Sequence, residues 1–285
     1  MTIIIESVQA LLAAFDGFLI DQWGVIHDGN AVYPGVAHAL ETLRRSGKKS
    51  IILTNSSKSE AVNRARLQHT FSVSQDSYSH LVSSTDVLME FLLGGNESEG
   101  VSGAAFVVAD GSDGLITERC GLAVSDTVAD AEYVLLLSAA AGQDREKQMD
   151  WIGEAAGRGL PLFCPSADES SVTASGVVDG LASIVRAYEA AGGRVRNFGK
   201  PAPQVYRRCG QLLGEMDPER VLAVGDQWRT DVLGAKGHGY KALLVATGAT
   251  ERQFGTTDLH ALRSIFLSSY EATQRPDFVM SSFRW

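Results

Sequence analysis

The amino-acid sequence predicts an α/β fold with a mainly parallel sheet and an inserted second α/β domain. Short apolar, β-branched segments at 15–20, 50–53, 221–224 and 242–245 end abruptly in polar residues or glycine, as buried strands do. Helix-like stretches alternate with them at 35–46, 203–213 and 229–236. Strands that alternate with helices indicate a parallel sheet.

The middle of the chain changes character, which predicts the insertion. A loop-like break at 94–100 follows a helix-like stretch at 85–93, and further strands are predicted at 104–109, 133–137 and 160–163. With 285 residues, the chain is longer than one average domain. We predict that residues 1–86 and 194–285 form one domain and that residues 87–193 form the inserted one.

Composition limits the partners. The formal net charge is -9 and the basic residues are scattered, which argues against a nucleic-acid partner. No window reaches the roughly 18 apolar residues of a membrane-spanning helix, and the amino terminus has no signal-like pattern. The three cysteines are too few and too scattered for a disulfide framework or a metal site. We therefore expect no membrane partner and a cytoplasmic location.

Asp21 is the first candidate functional residue. It follows the apolar run that ends at Ile20 and opens a polar, glycine-containing loop. The carboxyl end of a buried parallel strand faces the crevice where open α/β sheets bind ligands. A carboxylate at that position can attack phosphorus covalently, so the sequence predicts that Asp21 is a nucleophile.

Two further strand ends or turns supply groups that phosphoryl transfer needs. The Thr54 hydroxyl and the amides of Asn55 and Ser56 could bind phosphoryl oxygens, although Thr54 alone would equally suit a turn. Lys200, within a Gly-Lys-Pro sequence, could neutralise both Asp21 and the transferring phosphoryl group. These residues are expected to lie with Asp21.

Asp226 and Asp231 lie five residues apart beside a glycine at a predicted strand end. Mg²⁺ prefers oxygen ligands and is commonly held by one or two carboxylates, waters and substrate phosphate. Asp21 and Asp226, with Asp231 nearby, therefore predict a Mg²⁺ site. The alternative for Asp231 is that it caps the following helix.

The ordered set Asp21, Thr54, Lys200 and Asp226 with Asp231 resembles the four motifs of the haloacid-dehalogenase-like phosphatases over essentially the whole chain. The Thr-Asn pair, the long insertion, the Gly-Lys-Pro sequence and the Gly-Asp-x-x-x-Thr-Asp sequence resemble the class IIA branch. That branch includes sugar-phosphate, nucleotide, 4-nitrophenyl-phosphate and pyridoxal-phosphate phosphatases. The resemblance implies a Rossmann-like core with an α/β cap domain.

The resemblance also implies metal ligands. Asp21 would be both nucleophile and Mg²⁺ ligand, and the backbone carbonyl of Trp23 would be a second ligand. Asp226 would ligate the metal, and Asp231 would ligate or orient it.

The remaining implied roles concern substrate and assembly. Thr54 and Lys200 would hold the phosphoryl group. Residues 164–171 lie where class IIA caps carry a loop that faces the active site, and Asp168 is the position that matches. We expect Asp168 to contact substrate, with a solvated polar loop as the alternative. Class IIA relatives often associate through their caps, so a homodimer is expected.

The chain departs from the family pattern at Trp23, where most of these phosphatases have an acid/base aspartate. General acid catalysis increases the reaction rate by about 10²- to 10⁴-fold. Without the acid, hydrolysis of alkyl phosphates should therefore be slowed more than hydrolysis of acyl phosphates, anhydrides or aryl phosphates. His27 or Asp28 could supply the proton, although turn or flap roles suit them better. Asp16, five residues before the nucleophile, is expected to be structural.

The sequence therefore predicts a Mg²⁺-dependent phosphatase that acts on a small phosphorylated metabolite through an aspartyl-phosphate on Asp21. The alternative is a phosphometabolite-binding or regulatory protein that is catalytically weak or inactive, for which Trp23 is the supporting feature. A dinucleotide-binding oxidoreductase is disfavoured because the first strand is not followed by G-x-G-x-x-G.

Overall fold

The computed structural model describes residues 2–94, 101–109, 114–138, 149–173, 176–214 and 216–285. Two compact units are present. The core unit comprises Met1–Thr54, Glu60–Val82 and Lys200–Trp285, and the inserted unit comprises Asn55–Ser59 and Ser83–Gly199. The domain boundaries predicted from the sequence, after residues 86 and 193, stay predictions.

The described residues form these strands: β1 (Ile3–Ile4), β2 (Gly17–Asp21), β3 (Lys49–Thr54), β4 (His80–Ser83), β5 (Ala105–Val108), β6 (Val124–Ser125), β7 (Tyr133–Leu136), β8 (Pro161–Cys164), β9 (Ser170–Thr173), β10 (Gly176–Asp179), β11 (Arg194–Asn197), β12 (Val221–Gly225), β13 (Lys241–Val245) and β14 (Phe278–Met280).

The same residues form these α-helices: α1 (Val36–Arg45), α2 (Glu60–His69), α3 (Ser84–Leu92), α4 (Gly114–Cys120), α5 (Trp151–Gly157), α6 (Ala182–Ala190), α7 (Pro203–Leu213), α8 (Leu233–Gly237), α9 (Thr250–Phe254) and α10 (Leu259–Ser269). Short 3₁₀ helices lie at Val8–Leu11, Gln75–Ser77, Pro218–Arg220 and Ala272–Gln274, and a π-helical turn at Trp228–Val232. None of the described helices has the length and apolar character needed to cross a membrane.

The core unit contains a seven-stranded sheet in the order β1-β14-β13-β12-β2-β3-β4. Strands β12, β2 and β3 lie side by side and run parallel, with Val224 beside Ile20 and Asp21 beside Leu53. All five residues of β2 and all five of β12 are buried. A strand covered on both faces must be apolar throughout, which is why these segments are recognisable in the sequence. The predicted α/β class is confirmed.

Helix packing follows the apolar spacing. In α1 the buried residues are Val36, Ala39, Leu40 and Leu43, which share one face of an α-helix. The helix predicted at 229–236 differs in detail. A π-helical turn comes first and α8 then begins at Leu233. The turn holds Asp231, and such local π geometry is frequent at functional sites.

The inserted unit has its own sheet and its own hydrophobic core. The sheet order is β11-β8-β7-β5-β6, the registered pairs are parallel, and β9 and β10 form a separate antiparallel hairpin. Val134, Leu136 and Leu162 pack with Ile184 and Tyr188 in that core. The loop predicted at 94–100 lies, except for residue 94, outside the described residues.

Candidate functional site

Asp21 is the last residue of β2 and is almost completely buried. Its neighbour in the sheet is Leu53, so the buried Thr54 follows one residue later at the same edge. Because β12 is parallel to β2 on the other side, Asp226 reaches this edge as well. Three strand ends therefore converge at the carboxyl edge of the core sheet, where α/β sheets bind ligands.

Lys200 connects two of the carboxylates. Its Nζ donates hydrogen bonds to Asp21 Oδ1 at 2.6 Å and to Asp231 Oδ1 at 2.7 Å, and all three side chains are buried. Burial alone lowers the pKa of Lys200, but attraction to Asp21 and Asp231 outweighs burial and raises that pKa well above its usual value. The lysine is therefore a fixed positive charge beside the nucleophile.

Asp226 has one buried carboxylate oxygen to which no described residue donates a hydrogen bond. Its Oδ2 accepts a hydrogen bond from the Ala249 N–H at 2.6 Å, whereas its buried Oδ1 has no hydrogen-bond partner among the described residues. Burial, together with repulsion from Asp21 and Asp231, raises the pKa of Asp226 well above its usual value. Burial also raises the pKa of Asp21, to about 7, although Lys200 opposes the shift.

The donor set fits a divalent cation. Asp21, Asp226 and Asp231 each present a carboxylate oxygen within 4.8 Å of the others. Three carboxylates against the one ammonium of Lys200 leave two negative charges when all are ionised, which a buried site tolerates poorly without a counter-ion. The unpaired Oδ1 of Asp226 offers a ligand atom. An all-oxygen set of this kind suits Mg²⁺.

Two glycines make room for Asp226. Gly24 has φ +81° and Gly248 has φ +57°, and a Cβ on either would overlap with Asp226 Oδ2. The two segments are also linked, because the Thr247 hydroxyl donates to the Gly24 carbonyl at 2.5 Å. A side chain at either glycine would displace the carboxylate.

Asp231 is held by the π-helical turn. Its Oδ2 accepts a hydrogen bond from the Gln227 N–H at 3.0 Å, and the buried Tyr206 hydroxyl donates to the Thr230 carbonyl at 2.8 Å. The N-cap of the following helix α8 is Val232. Asp231 therefore stabilises the start of the π-helical turn and faces Lys200, and it does not cap α8.

Trp23 lies in an aromatic cluster, the Trp23 cluster, which comprises Trp23, His27, Arg66 and Phe71. The Trp23 and His27 rings meet edge to face at 4.4 Å, and the His27 ring stacks on Phe71 at 4.1 Å. The Arg66 guanidinium lies over Trp23 at 4.7 Å and over Phe71 at 5.5 Å. The Trp23 side chain thus lies among aromatic rings and a permanent cation, and none of the four residues in the cluster carries a carboxyl group.

His27 and Asp28 are poorly suited to supply a proton. His27 Nδ1 accepts from the Gly29 N–H, and its Nε2 lies 3.1 Å from the Gln22 amide. Burial, with a contribution from Arg66, lowers the pKa of His27 to about 3, so its ring is neutral. Asp28 accepts from the Asn30 and Ala31 amides, which lower the pKa of its carboxyl group. Both residues stabilise the loop.

The other candidates belong to the inserted unit. Asn55 Nδ2 donates to Asp168 Oδ1 at 2.9 Å, so two residues singled out in the sequence pair with each other. The Ser56 hydroxyl accepts from the Lys58 N–H at 3.1 Å and closes a turn. The Ser56 carbonyl accepts from the Thr85 hydroxyl at 3.0 Å.

Sequence reasoning missed several residues of the site: Gly24, Arg66, Tyr206, Gln227, Gly248 and Ala249. The segment after β13 offered one signal, because a buried strand that ends in a glycine turn is the same pattern that singled out Asp226. Arg66 and Tyr206 carried none, because they lie far along the chain from the residues they contact.

Three family models match the chain. One described as "Haloacid dehalogenase-like hydrolase" matches residues 18–122, and one described as "haloacid dehalogenase-like hydrolase" matches residues 111–239. A third, described as "HAD-hyrolase-like", matches residues 197–285. All three models describe the same superfamily, and together they extend from β2 to the carboxyl end.

Curated relatives agree with these matches. The chain is 27% identical to chronophin of Rattus norvegicus over 256 residues, which cover 86% of this chain and 80% of chronophin. It is 25% identical to the sugar-phosphatase AraL of Bacillus subtilis over 239 residues, covering 83% of this chain and 85% of that protein.

Solved structures share the fold. A haloacid dehalogenase-like hydrolase from Brucella suis has a TM-score of 0.80 at 22% identity, with 98% of this chain and 100% of that chain covered. A 4-nitrophenylphosphatase from Thermotoga maritima has a TM-score of 0.72 at 24% identity, with 94% of this chain and 95% of that chain covered.

Proposed function

We propose that the chain, which belongs to the haloacid dehalogenase-like hydrolases and is a class IIA phosphatase, hydrolyses a small phosphorylated metabolite. The reaction is proposed to pass through an aspartyl-phosphate on Asp21, with Mg²⁺ as cofactor. One observation carries the proposal. Asp21 ends β2 beside Lys200, within a cluster that also contains Asp226 and Asp231. Nucleophile, fixed cation and oxygen ligands for a metal are what phosphoryl transfer requires.

The chemistry of the chain's own residues follows from this arrangement. Asp21 forms a bond from a carboxylate oxygen to phosphorus while the bond from phosphorus to the leaving group breaks. Water then attacks phosphorus and the bond to Asp21 breaks, so the Asp21 carboxylate is regenerated and inorganic phosphate leaves with the proton of that water. Lys200 balances negative charge beside Asp21 throughout. The Thr54 hydroxyl is proposed to bind a phosphoryl oxygen.

Asp21, Asp226 and the backbone carbonyl of Trp23 are proposed to hold the metal, and Asp231 is proposed to ligate or orient it. The unpaired Oδ1 of Asp226 supports this assignment. Bound there, Mg²⁺ supplies positive charge that offsets the phosphoryl oxygens as Asp21 attacks.

The substrate is proposed to have a leaving group that departs without a proton from the protein. The Trp23 indole is not an acid at physiological pH, and His27 is held neutral within the loop. Acyl phosphates, phosphoanhydrides and aryl phosphates meet this condition better than alkyl phosphates. A sugar-phosphatase and a 4-nitrophenylphosphatase among the similar proteins support a small organic phosphate.

Within the inserted unit, Asn55 and Asp168 are proposed to contact substrate as a hydrogen-bonded pair. Ser56 is proposed to contribute its backbone amide, because its hydroxyl already accepts a hydrogen bond from Lys58. The homodimer and the cytoplasmic location remain predictions from the sequence.

The test is phosphate release from 4-nitrophenyl phosphate, acetyl phosphate, sugar phosphates, nucleotides and pyridoxal phosphate, with Mg²⁺ or with EDTA. We expect Mg²⁺-dependent turnover that falls by roughly 10³-fold or more in Asp21→Asn, because the nucleophile is removed. Turnover that survives in Asp21→Asn would contradict the proposal.

A second candidate is a phosphometabolite-binding protein without turnover, and the aromatic residue at Trp23 favours it. Its signature is no phosphate release from any compound together with saturable, Mg²⁺-dependent binding of a phosphometabolite, measured by calorimetry.

A further inference from the structure

The Trp23 cluster holds a cation on the side chain two residues after the nucleophile. Trp23 comes two residues after Asp21, is partly exposed, and carries the Arg66 guanidinium at 4.7 Å from its ring. Arg66 extends from helix α2 and is itself partly buried. The cluster therefore belongs to the loop that follows Asp21, and its cation is not fully enclosed.

Arg66 differs from Arg64 and Arg44 of the core unit, because its partners are aromatic rings and theirs include a carboxylate. Arg64, on the same helix, pairs with Glu60 at 2.7 Å, and Arg44 pairs with Glu41 at 2.7 Å. Across the part of the chain that the structure describes, Arg66 forms no ion pair with an aspartate or glutamate. In a chain of net charge -9, this is an unbalanced positive charge.

Stacking leaves the binding edge of a guanidinium available. The faces of the planar group contact aromatic rings, whereas its N–H donors point outward in the plane and match an oxyanion in bidentate geometry. His27 lies between Trp23 and Phe71, and Arg66 is the member of the cluster with a permanent charge. The rings fix the guanidinium and reduce the conformational entropy that is lost when it binds an anion.

We propose that Arg66 is a specificity residue that binds an oxyanion on the leaving-group portion of the substrate. The inference rests on the proposed phosphatase function and narrows its substrate class. The substrate is then a phosphate ester or anhydride whose leaving group itself carries a carboxylate or a second phosphoryl group. Trp23 positions Arg66 by contact with its guanidinium, and recognition of a charge on the leaving group takes the place of proton donation to it.

The test compares two substrates of equal shape, 4-carboxyphenyl phosphate and the neutral 4-carbamoylphenyl phosphate. We expect wild-type protein to favour the carboxylate in kcat/KM by roughly tenfold, since a charged hydrogen bond of this kind is formed in one complex and not in the other. In Arg66→Gln the preference should fall to about twofold or less, with turnover of the neutral analogue changed less than about threefold. A third substrate, 1,4-phenylene bisphosphate, distinguishes phosphoryl from carboxylate recognition.

Arg64→Gln is the matched control, because it removes the same charge from the same helix at a residue that pairs with Glu60 and lies over Tyr78. It should leave the preference unchanged. Arg66→Lys keeps the charge but loses the planar stacking group, so an intermediate preference is expected. If thermal melting shows that Arg66→Gln is unfolded, Arg66→Met supplies a neutral variant with an apolar side chain against the rings, and a preference in it equal to that of wild type overturns the inference.

The two proposals fail separately. Phosphate release that depends on Asp21 but shows the same preference in wild type and Arg66→Gln overturns the role of Arg66 and leaves the phosphatase intact. Absence of phosphate release from every compound overturns the proposed function. In that case calorimetry with 4-hydroxybenzoate and 4-hydroxybenzamide decides the role of Arg66. If wild-type protein binds 4-hydroxybenzoate in preference to 4-hydroxybenzamide and Arg66→Gln does not, the proposed role of Arg66 is supported. If wild-type protein shows no such preference, that role is overturned.

Discussion

Asp21 belongs to one cluster of side chains, and Trp23, two residues later in the chain, belongs to another. The two clusters differ in burial, charge and hydrogen bonding. The acidic cluster of Asp21, Asp226, Asp231 and Lys200 is buried, highly charged and held by short hydrogen bonds. The Trp23 cluster is aromatic, with a neutral histidine and one cation held by rings. Phosphoryl and metal handling require the first kind of environment, and the second cannot exchange protons.

This difference indicates that metal and phosphoryl binding can change independently of leaving-group recognition in a phosphatase site. The acidic cluster is built from the ends of β2 and β12, the π-helical turn and Lys200, so a substitution of the Trp23 side chain leaves it in place. The Trp23 cluster is built from the loop after β2, helix α2 and the turn that follows this helix. Metal and phosphoryl binding are expected to survive changes to the loop, while leaving-group preference is expected to follow the loop.

The largest effect is expected from Lys200→Met. Removing the ammonium leaves Asp21 and Asp231 buried without their counter-charge, which costs about 3 to 5 kcal/mol of the free energy of unfolding. Phosphate release should be lost as well. Chemical denaturation with and without Mg²⁺ is the measurement, and Mg²⁺ should recover part of the lost stability. Wild-type stability in the variant would show that the acidic cluster is not electrostatically coupled.

Trp23→Asp tests the second cluster. The new carboxyl group can donate a proton, so turnover of alkyl phosphates should rise by about 10²-fold, while turnover of 4-nitrophenyl phosphate should change only by a small factor. The measurement is kcat/KM over a series of leaving groups, with Trp23→Phe as a control that adds no acid. An equal gain for all leaving groups would indicate that Trp23 limits access and not proton transfer.

Substitution of Gly248 distinguishes a loss of metal binding from backbone strain. Gly248→Ala places a Cβ against Asp226 Oδ2, so Mg²⁺ affinity should fall by roughly tenfold as the carboxylate is displaced. The matched control is Gly255→Ala, at φ +70° with no neighbour within 4 Å of the new Cβ. Mg²⁺ titrations followed by thermal melting compare the two. Equal losses in both variants would assign the effect to backbone strain alone.

The smallest effect is expected at the other end of β2. Arg220 and Lys48 hold the exposed Asp16 carboxylate and lower its pKa below the ordinary 3.8. Because the folded-state pKa is the lower one, the stabilisation is present above pH 4 and is lost as pH falls through the acidic range. Asp16→Asn should lower the melting temperature at pH 7 by up to about 3 °C.

Thermal melts between pH 7 and pH 2.5 provide that comparison. The difference between wild type and Asp16→Asn should shrink toward the acidic end. A difference that stays constant with pH would mean that the Asp16 contacts act by packing and not by charge.

The strand ends show why much of this site could be predicted. Strands β2 and β12 are buried on both faces, which favours a continuous apolar run, so the carboxylate that ends β2 and the one that follows β12 are conspicuous in the sequence. Parallel strands place these residues at one edge. The nearness of Asp21 and Asp226 was therefore accessible from pattern and elementary geometry.

The packing around them was not accessible in this way. Asp231 could be a ligand or a helix cap, and only the π-helical turn, which directs it to Lys200, decides between these roles. The contact of Gly248 with Asp226 joins the segments that follow two neighbouring strands, and no local pattern records it. The stacking of Arg66 on Trp23 likewise joins a helix to a loop more than 40 residues away.

The sequence by itself determined the α/β class, the parallel sheet and the chemical types that surround Asp21, because burial on both faces of a strand and the needs of phosphoryl transfer restrict which residues can stand there. The tertiary structure alone decided which carboxylate oxygen is left free, which cation meets Trp23 and how His27 is kept neutral. Those outcomes depend on close contacts between segments that are distant in the sequence. Hydrophobic periodicity does not encode such contacts, because it is a local property of the chain.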